Sequence, residues 1–409
     1  VVTIALFAFA GYDFVSPKLE IWMIAAICVL VIGGGYYMLK PRHGLFTRIG
    51  VVKLFLDVKE YNYKNSLYLE HQKVLMQEIE TKCLHPLSKP HTMLLIIGES
   101  ASRDFMSAFT EMNEDTTPWL KQLAADKERC ILFRNAYSCD IQTVPVLEKA
   151  LTSFNQYDGG EFYSSTSIVN IAKSLGYKVH WYSNQGNLGS NDTPITLVAE
   201  ISDVAKWTNQ QLGKKYYDGA LVDFLKELDP SCNNLVVLHL MGSHFNYENR
   251  FPESHRIFQG SDIHDKITNY KNTLYYTDDV LRQVFEYLVK ECNLQGMVYC
   301  SDHGDVPDRH RQPNFGGFTD TRIPLCVWVG DEFIAKRQES AKALRANSDR
   351  YWTNDLLYDL MCGVMDVECK DFNAENSLAS DTYKHQYENL TIIDGTVHIS
   401  DDETMVKGL

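Results

Sequence analysis

The sequence predicts an α/β protein in which a mostly parallel sheet is covered by helices on both faces. From His91 onward, strand-like and helix-like segments alternate, as is typical of parallel sheets. Strands such as Met93 to Ile97 are continuous apolar runs, as expected when both faces of a strand are buried. The strand from Met297 runs straight into Ser301-Asp302-His303-Gly304. Polar groups therefore stand at a strand's carboxyl end, where open α/β sheets bind ligands.

The composition is that of a globular protein and argues against a nucleic-acid partner. The chain has 409 residues, of which 45% are hydrophobic and 22% charged, as in globular proteins. This length suits one large α/β domain with an accessory segment, or two to three average domains. The formal charge of −14 argues against a nucleic-acid partner, which requires clustered cations. The ten cysteines include no CxxC pair; a Cys130–Cys139 disulfide and free thiols both remain open.

The first 45 residues are predicted to be membrane segments. Ile21 to Leu39 contains no charged residue over 19 positions, enough for a helix to cross a hydrocarbon core of about 30 Å. A buried core helix is the alternative. Val1 to Ala10 is also apolar, which indicates the tail of an earlier span and an incomplete N-terminus. Lys40, Arg42 and Arg48 follow the span and, taken alone, would place the rest of the chain in the cytoplasm.

Residues 46–90 are predicted to form amphipathic linker helices. Apolar residues recur at helical spacing in this segment, among them Val51, Leu54 and Val58. Such a helix would rest on the membrane surface or pack on the globular domain. Pro86 and Pro90 mark the boundary to the domain of residues 91–409.

The pattern of apolar residues predicts the strands and helices of that domain. Met93 to Ile97 is a strand that ends in Gly98-Glu99-Ser100, and a helix opens near Pro145. The remaining predicted strands are Ile131 to Tyr137, Tyr177 to Tyr182, Leu235 to Leu240, the Met297 strand and Ile323 to Val329. The remaining predicted helices are Ser167 to Leu175, Tyr217 to Leu228 and Asn272 to Leu288. Thr391 to Ile399, with Asp394-Gly395 at its centre, predicts a terminal hairpin.

Several predicted strands exit into residues that bind metals or act as nucleophiles. Glu99, His244 and the Asp302-His303 pair each follow a strand, and Thr143 comes shortly after another. If the sheet is parallel, these residues meet at one edge. Mixed nitrogen and oxygen ligands suit Zn²⁺ or Mn²⁺ better than Ca²⁺. A hydroxyl at a helix N-terminus beside a cation is an activated nucleophile.

Five motifs in register resemble the phosphoethanolamine transferases of the alkaline phosphatase and sulfatase superfamily. They are Ile97-Gly98-Glu99-Ser100, Cys139-Asp140-Ile141-Gln142-Thr143-Val144-Pro145, His180-Trp181-Tyr182-Ser183-Asn184-Gln185, His239-Leu240-Met241-Gly242-Ser243-His244 and Ser301-Asp302-His303-Gly304-Asp305. The resemblance covers roughly residues 91 to 335. It implies an alkaline-phosphatase-like three-layer α/β/α catalytic domain in residues 91–409, preceded by a transmembrane helix.

The resemblance also implies roles for individual residues. Thr143 would be the nucleophile, and Glu99, Asp302 and His303 would join it around one zinc ion, with manganese as the second choice of metal. His244 would lie beside the transferred phosphate, as a ligand of a second metal or as a hydrogen-bond donor.

Three further residues would shape the ethanolamine pocket: Trp181, Asn184 and Gln185. His310 is the nearest candidate for a further family histidine, but it lies closer to His303 than in the family pattern. Leu147-Glu148-Lys149-Ala150 stands where many members have a second cysteine. Ile141 and Asp305 also depart from the usual residues.

The implied function is transfer of phosphoethanolamine from phosphatidylethanolamine to an envelope glycolipid or glycan, such as lipid A or the lipopolysaccharide core. A covalent phosphothreonine at Thr143 would be the intermediate, with His244 or His310 handling the proton. The resemblance implies an anchor in a bacterial inner membrane and a periplasmic catalytic domain, and we expect the protein to be a monomer. That location opposes the orientation indicated by the basic residues after the span.

Three other functions fit parts of the pattern. A sulfatase would need Cys or Ser in a C/S-x-P-x-R setting, which Cys139 to Thr143 lacks. A glycerophosphate transferase of the lipoteichoic acid type also uses threonine and a metal, but its motifs differ from Gly98-Glu99-Ser100. An inactive sensor or scaffold with this fold is the third alternative, and a Thr143→Ala variant with metal analysis would separate it from an enzyme.

Overall fold

The computed structural model describes residues 21–39, 50–186, 193–208, 216–309 and 315–403. The chain divides into two units, Val1–Lys64 and Asn65–Leu409. The helices are α1 (Ile21–Leu39), α2 (Gly50–Glu78), α3 (Pro118–Leu123), α4 (Thr143–Ala150), α5 (Ile168–Ser174), α6 (Thr193–Glu200), α7 (Leu221–Phe224), α8 (Lys266–Glu291), α9 (Asp331–Lys336), α10 (Gln338–Ala346) and α11 (Leu357–Met365).

The strands include a large sheet and three short pairs. They are β1 (Lys82–Cys83), β2 (Thr92–Gly98), β3 (Cys130–Leu132), β4 (Ala136–Tyr137), β5 (Lys178–Ser183), β6 (Val204–Trp207), β7 (Asn234–His239), β8 (Leu294–Ser301), β9 (Leu325–Val329), β10 (Trp352–Thr353), β11 (Val367–Glu368), β12 (Thr391–Ile392) and β13 (Val397–His398).

Seven strands form the central sheet in the order β3-β9-β8-β2-β7-β5-β6. Four of its pairings are parallel, β2 with β7, β2 with β8, β5 with β7 and β5 with β6. Only β9 reverses the direction, since it pairs antiparallel with both β3 and β8. The predicted mostly parallel sheet is thus confirmed, and its parallel strands bring their carboxyl ends to one edge.

The central strand β2 shows why helices cover both faces of this sheet. Met93, Leu95 and Ile97 pack into one hydrophobic core, together with residues of α4, α5, α6 and α11. Leu94 and Ile96 point the other way, into a second core that includes residues of α3, α7 and α8. Because successive side chains of a strand alternate between faces, an all-apolar strand needs cover on both sides. The result is the predicted three-layer α/β/α arrangement.

The predicted membrane span coincides with α1, a helix of 19 residues. Within the described ranges, no helix meets the combined requirement of length and apolar character for crossing a bilayer. The transmembrane assignment of Ile21–Leu39 is therefore not confirmed, although the helix itself is.

The linker segment is helical as predicted, over Gly50–Glu78. Residues of α2 that belong to the larger unit pack on its core. Tyr68 is fully buried and stacks on Phe162 with ring centroids 5.6 Å apart. The amide of Asn170 donates to Gln72 Oε1 at 2.7 Å, and Gln72 is also buried. From Asn65 onward, this helix is part of the globular unit.

Two predicted elements are wrong in detail. The strand expected over Ile131 to Tyr137 is broken into β3 and β4, because a turn at Arg134-Asn135 sends the chain out of the main sheet. There β4 pairs in parallel with β10 rather than with a strand of the main sheet. The helix expected over Tyr217 to Leu228 is one turn of α-helix between two 3₁₀ turns. The terminal hairpin is confirmed, with Ile392 opposite Val397.

The cysteines follow the free-thiol alternative. All ten are free, and Cys130 lies beside Cys326 rather than Cys139, with 3.5 Å between the sulfur atoms. Cys139 is buried in the core behind the Thr143 segment.

One buried carboxyl is expected to make the stability of the larger unit depend on pH. Asp278 of α8 accepts hydrogen bonds from the backbone N–H groups of Trp119 (2.7 Å) and Leu120 (3.0 Å) at the start of α3. Burial nevertheless raises the pKa of Asp278 to about 7. Since the folded state then holds a proton that the unfolded chain has released, Asp278 should weaken folding as the pH rises from about 4 to about 7. The expected slope is up to about 1.4 kcal/mol per pH unit.

Urea unfolding of the chain in detergent at pH 5 and pH 8 would measure this effect. In Asp278→Asn, the fall in unfolding free energy between the two pH values should be smaller than in the wild type. The exposed Asp223→Asn is the control and should keep the wild-type difference. An Asp278→Asn variant with an unchanged difference would contradict the prediction.

Candidate active site

The site lies where two neighbouring central strands end. Gly98 of β2 and Ser301 of β8 are paired in register, so the residues that follow them emerge side by side. These residues are Glu99, Asp302 and His303, each only 1% exposed. Their ligand atoms all lie within 4.8 Å of one another, as a metal site requires. The predicted convergence at the carboxyl edge therefore occurs.

The ring of His303 is oriented by its own turn. Nδ1 lies 2.7 Å from the carbonyl oxygen of Gly304. Because a carbonyl only accepts, Nδ1 must carry the proton, which leaves the lone pair on Nε2. Nε2 faces Asp302 Oδ2 at 3.3 Å and Glu99 Oε1 at 3.5 Å. This tautomer is the one that histidine ligands of metals use.

The two carboxylates are held by Ser100, which adopts a left-handed conformation with φ of 56°. Its hydroxyl donates to Glu99 Oε1 at 2.7 Å and its backbone N–H donates to Asp302 Oδ1 at 2.9 Å. Asp302 Oδ2 makes no hydrogen bond to the described residues. Burial would raise the pKa of Asp302, but His303 and the N–H of Ser100 outweigh it and lower that pKa overall. Asp302 is therefore an anion with one oxygen available to a ligand.

Thr143 reaches this group from outside the main sheet. It is the first residue of α4, and its half-buried hydroxyl lies 3.3 Å from Glu99 Oε2 and 3.4 Å from His303 Nε2. Asn354 fixes the approach, since its Oδ1 accepts from the N–H of Cys139 and its Nδ2 donates to the carbonyl of Asp302 at 2.6 Å. The helix N-terminus favours negative charge on the Thr143 oxygen.

Glu99, Asp302 and His303 could hold a cation, and the Thr143 hydroxyl lies beside them. A tetrahedral centre with bonds of about 2.0–2.1 Å separates its ligand atoms by about 3.3–3.4 Å. Nε2 of His303 lies 3.3 Å from Asp302 Oδ2 and 3.4 Å from Thr143 Oγ1, whereas Glu99 faces Thr143 with Oε2 at 3.3 Å and His303 with Oε1 at 3.5 Å. A cation would also compensate the negative charge of the two buried carboxylates.

The loop after β7 places His244 next to this group. The N–H of Ser243 donates to the carbonyl of Glu99 at 2.9 Å. Gly242, with φ of 46°, packs so closely on Glu99 that a Cβ atom would lie 2.7 Å from the same carbonyl oxygen. Asp218 accepts from the N–H groups of Met241 and Gly242, at 2.8 Å each. The backbone just before His244 is thereby fixed against Glu99, and His244 does not belong to the trio whose ligand atoms converge.

The three residues predicted to line the ethanolamine pocket are placed differently from one another. Gln185 reaches the site, because its Nε2 donates to Glu99 Oε2 at 3.3 Å and to the carbonyl of Leu240 at 2.8 Å. Asn184 is buried and donates to Asp218 Oδ1 at 2.8 Å. Trp181 is 1% exposed and lines a small cavity with Gln185 and His239.

His310 falls outside the described residues. The sequence did not identify the residues that orient the others: Ser100, Asp218 and Asn354. Ser100 stood inside one of the motifs, whereas Asp218 and Asn354 carried no signal in the sequence. Asp305 accepts a hydrogen bond from the hydroxyl of Tyr247 at 2.7 Å and so links the segment after β8 to the segment after β7.

The chain is similar to known proteins over most of its α/β unit. A family model for sulfatases matches residues 91–361, more than half of the chain. Phosphoethanolamine transferase EptC of Escherichia coli K12 is 30% identical over 271 residues, covering 61% of this chain and 46% of that protein. Phosphoethanolamine transferase OpgE of the same strain is 31% identical over 280 residues, covering 64% and 49%. The chain thus spans about half the length of these relatives.

Solved structures show the same fold. The C-terminal periplasmic domain of Escherichia coli EptC, in complex with Zn, superposes with a TM-score of 0.69 at 24% identity, covering 79% of this chain and 98% of that domain. The integral membrane lipooligosaccharide phosphoethanolamine transferase A of Neisseria meningitidis gives a TM-score of 0.61 at 18% identity, covering 87% and 70%. The fold is therefore alkaline-phosphatase-like, and the resemblance to phosphoethanolamine transferases is confirmed. With most of its α/β unit matched, the chain belongs to the sulfatase family.

Proposed function

We propose that this protein is a membrane-anchored phosphoethanolamine transferase that moves phosphoethanolamine from phosphatidylethanolamine to an envelope glycolipid or glycan. The observation that carries the proposal is the position of the Thr143 hydroxyl, 3.3 Å from Glu99 and 3.4 Å from His303 at a helix N-terminus. A sulfatase would need a different nucleophile in this place. The names of the relatives support the same group and the same reaction class.

In the first step, Thr143 Oγ1 attacks the phosphorus of the donor in line with the bond to diacylglycerol. A Thr143–phosphorus bond forms and the phosphorus–oxygen bond to diacylglycerol breaks. The diacylglycerol oxygen leaves with the bonding electrons and takes up a proton. The product in the protein is a phosphoethanolamine ester of Thr143, and Glu99 is the nearest carboxylate to the hydroxyl that loses its proton.

In the second step, a hydroxyl or phosphate oxygen of the acceptor attacks the same phosphorus from the side that diacylglycerol has left. The bond to Thr143 breaks, and Thr143 Oγ1 recovers a proton. We assign assistance with these proton movements to His244, because the turn at Gly242 fixes the backbone before it against Glu99. His310 is the other candidate from the sequence.

A divalent cation is proposed between Glu99, Thr143, Asp302 and His303. Zinc suits two carboxylates, one imidazole and a hydroxyl in a tetrahedron better than manganese, which prefers more oxygen ligands. Such a cation supplies positive charge for the phosphoryl oxygens and lowers the proton affinity of the Thr143 hydroxyl. Without positive charge here, the carboxylates of Glu99 and Asp302 would repel an anionic phosphodiester.

The ethanolamine end of the donor is proposed to lie towards Gln185. Its amide contacts both Glu99 and the carbonyl of Leu240, so it stands between the reacting centre and the cavity that Trp181 lines. Asn184 does not line this cavity in our proposal. It donates a hydrogen bond to Asp218, which holds the loop after β7. The two aromatic rings of Trp181 and Trp207 at this cavity are of the kind that attract an ammonium group.

The location proposed is a bacterial inner membrane, with the catalytic domain in the periplasm and the chain acting as a monomer. The relatives' structures support it, since one is described as a periplasmic domain and another as an integral membrane protein. A reporter fused after residue 409, active only in the periplasm, would test the orientation.

The activity itself can be tested with the full chain in detergent and phosphatidylethanolamine that carries a fluorescent acyl chain. A transferase should release fluorescent diacylglycerol and acquire phosphoethanolamine on the peptide that contains Thr143. Mass spectrometry of envelope glycolipids from cells with and without the gene would then identify the acceptor. Release of phosphatidic acid and free ethanolamine, or no turnover and no phosphoethanolamine on the Thr143 peptide, would refute the proposed reaction.

A further inference from the structure

Arg250 contacts both the backbone and the ring of His244. Its Nε donates to the carbonyl of His244 at 3.0 Å, and its Nη2 donates to the carbonyl of Phe245 at 2.9 Å. The same Nη2 lies 3.3 Å from Nδ1 of the His244 ring. The two carbonyl contacts fix the guanidinium in place, so its approach to the imidazole is a built feature of the loop.

The charges around Arg250 favour its staying in this position. Burial lowers the pKa of the guanidinium, and the negative charges of Asp218, Glu99 and Glu248 oppose that effect. A guanidinium remains a cation in proteins and carries only donors. It can therefore donate a hydrogen bond to Nδ1 of His244 but cannot accept one.

A donor at Nδ1 decides which nitrogen of His244 carries the proton. Since Nη2 of Arg250 donates, Nδ1 of the neutral ring must be the acceptor, and the proton must be on Nε2. His303 shows the reverse arrangement, because the carbonyl of Gly304 takes a hydrogen bond from its Nδ1. The two histidines of the site are thus held as opposite tautomers by opposite partners.

We propose that Arg250 is a positioning residue that holds His244 as an Nε2–H donor towards the phosphoryl group, and that His244 is not a ligand of a second metal. A ring with a proton on Nε2 has no lone pair there for a cation. It can donate to a phosphoryl oxygen or to the departing oxygen of diacylglycerol. The catalytic part of this inference rests on the proposed function; the tautomer itself does not.

Nitrogen-15 NMR of the full chain, labelled at histidine and kept in detergent, tests the tautomer without any turnover. The resonances of His244 are those missing from a His244→Gln variant. In the wild type, Nε2 should be of the protonated, pyrrole type and Nδ1 of the unprotonated, pyridine type. In Arg250→Met, the proton should shift partly or wholly to Nδ1. A wild-type ring protonated on Nδ1, or an identical spectrum in Arg250→Met, would overturn the proposal.

Metal content gives a second readout that is independent of activity. Because His244 is assigned no metal, His244→Gln should retain as much zinc per chain as the wild type. Loss of zinc from this variant would overturn the proposal even if the protein were an active transferase. Equal zinc contents with the expected spectra would support it even if the transferred group proved to be another one.

The turnover number should also depend on Arg250. Arg250→Met should lower kcat for diacylglycerol release by about 10- to 100-fold, less than the roughly 100- to 10,000-fold that a whole general acid or base contributes, with KM nearly unchanged. Arg250→Lys keeps a cationic donor and should recover part of the rate. The matched control is Arg256→Met on the same loop, because Arg256 binds Glu253 and Asn269 instead. Equal rate losses in Arg250→Met and Arg256→Met would contradict a specific role for Arg250.

Discussion

Thr143→Ala is expected to lower phosphoethanolamine transfer by at least about 1,000-fold, because it removes the atom that forms the covalent intermediate. The fold should persist, since Thr143 is the first residue of α4, caps no helix by its side chain, and is replaced by a strong helix former. Release of fluorescent diacylglycerol measures the rate. The thermal unfolding midpoint measures the fold.

Thr143→Ser is the matched variant for this prediction. Serine keeps a hydroxyl at the same position and should retain far more activity than alanine. Mass spectrometry should find phosphoethanolamine on residue 143 in the wild type and in the serine variant but not in the alanine variant. Substantial transfer by Thr143→Ala, or an adduct on another residue, would show that the nucleophile lies elsewhere.

Asp302→Asn should lose both the bound metal and the activity. Asp302 is 1% exposed, and its Oδ2 makes no hydrogen bond within the described part of the chain, so a cation is the partner that its charge calls for. Asparagine removes that charge while keeping an acceptor for the N–H of Ser100. Zinc affinity should fall by at least about 10-fold. Elemental analysis after dialysis and the transfer assay measure the two losses.

Thermal unfolding separates metal loss from misfolding. Zinc added to metal-free wild type should raise the unfolding midpoint. At a free zinc concentration of 100 times the dissociation constant, the folded state should gain about 2.7 kcal/mol of stability. Asp302→Asn should show no such rise, whatever its own unfolding midpoint without zinc. Asp278→Asn, a buried carboxylate outside the trio, should respond to zinc like the wild type. A zinc response in Asp302→Asn would remove Asp302 from the ligand set.

Much of the site was predictable because of the way parallel sheets are built. Glu99, His244 and the Asp302-His303 pair each follow a predicted strand, and the structure places those strands, β2, β7 and β8, next to one another. The apolar runs of these strands indicated burial on both faces and hence three layers. Thr143 was identified by its motif, and the structure brings its hydroxyl to Glu99 and His303.

The parts that were not predicted depend on residues far apart in the chain. Asn354 donates to the carbonyl of Asp302, 52 positions away, and Asp218 holds the turn before His244 from 23 and 24 positions away. No local pattern marks an asparagine or an aspartate for such a task. The broken strand after Cys130 is a similar case, because the partner of β4 is β10, more than 200 residues later.

The sequence by itself determined the order of layers and the residue types at the strand ends, because burial and alternation are written into the pattern of apolar residues. Only the tertiary structure decided how these groups are oriented. The carbonyl of Gly304 accepts a hydrogen bond from Nδ1 of His303, whereas the guanidinium of Arg250 donates one to Nδ1 of His244, which by our proposal leaves the proton of His244 on Nε2. Identical side chains acquire opposite chemistry because a hydrogen-bond partner on one ring nitrogen fixes what the other nitrogen can do.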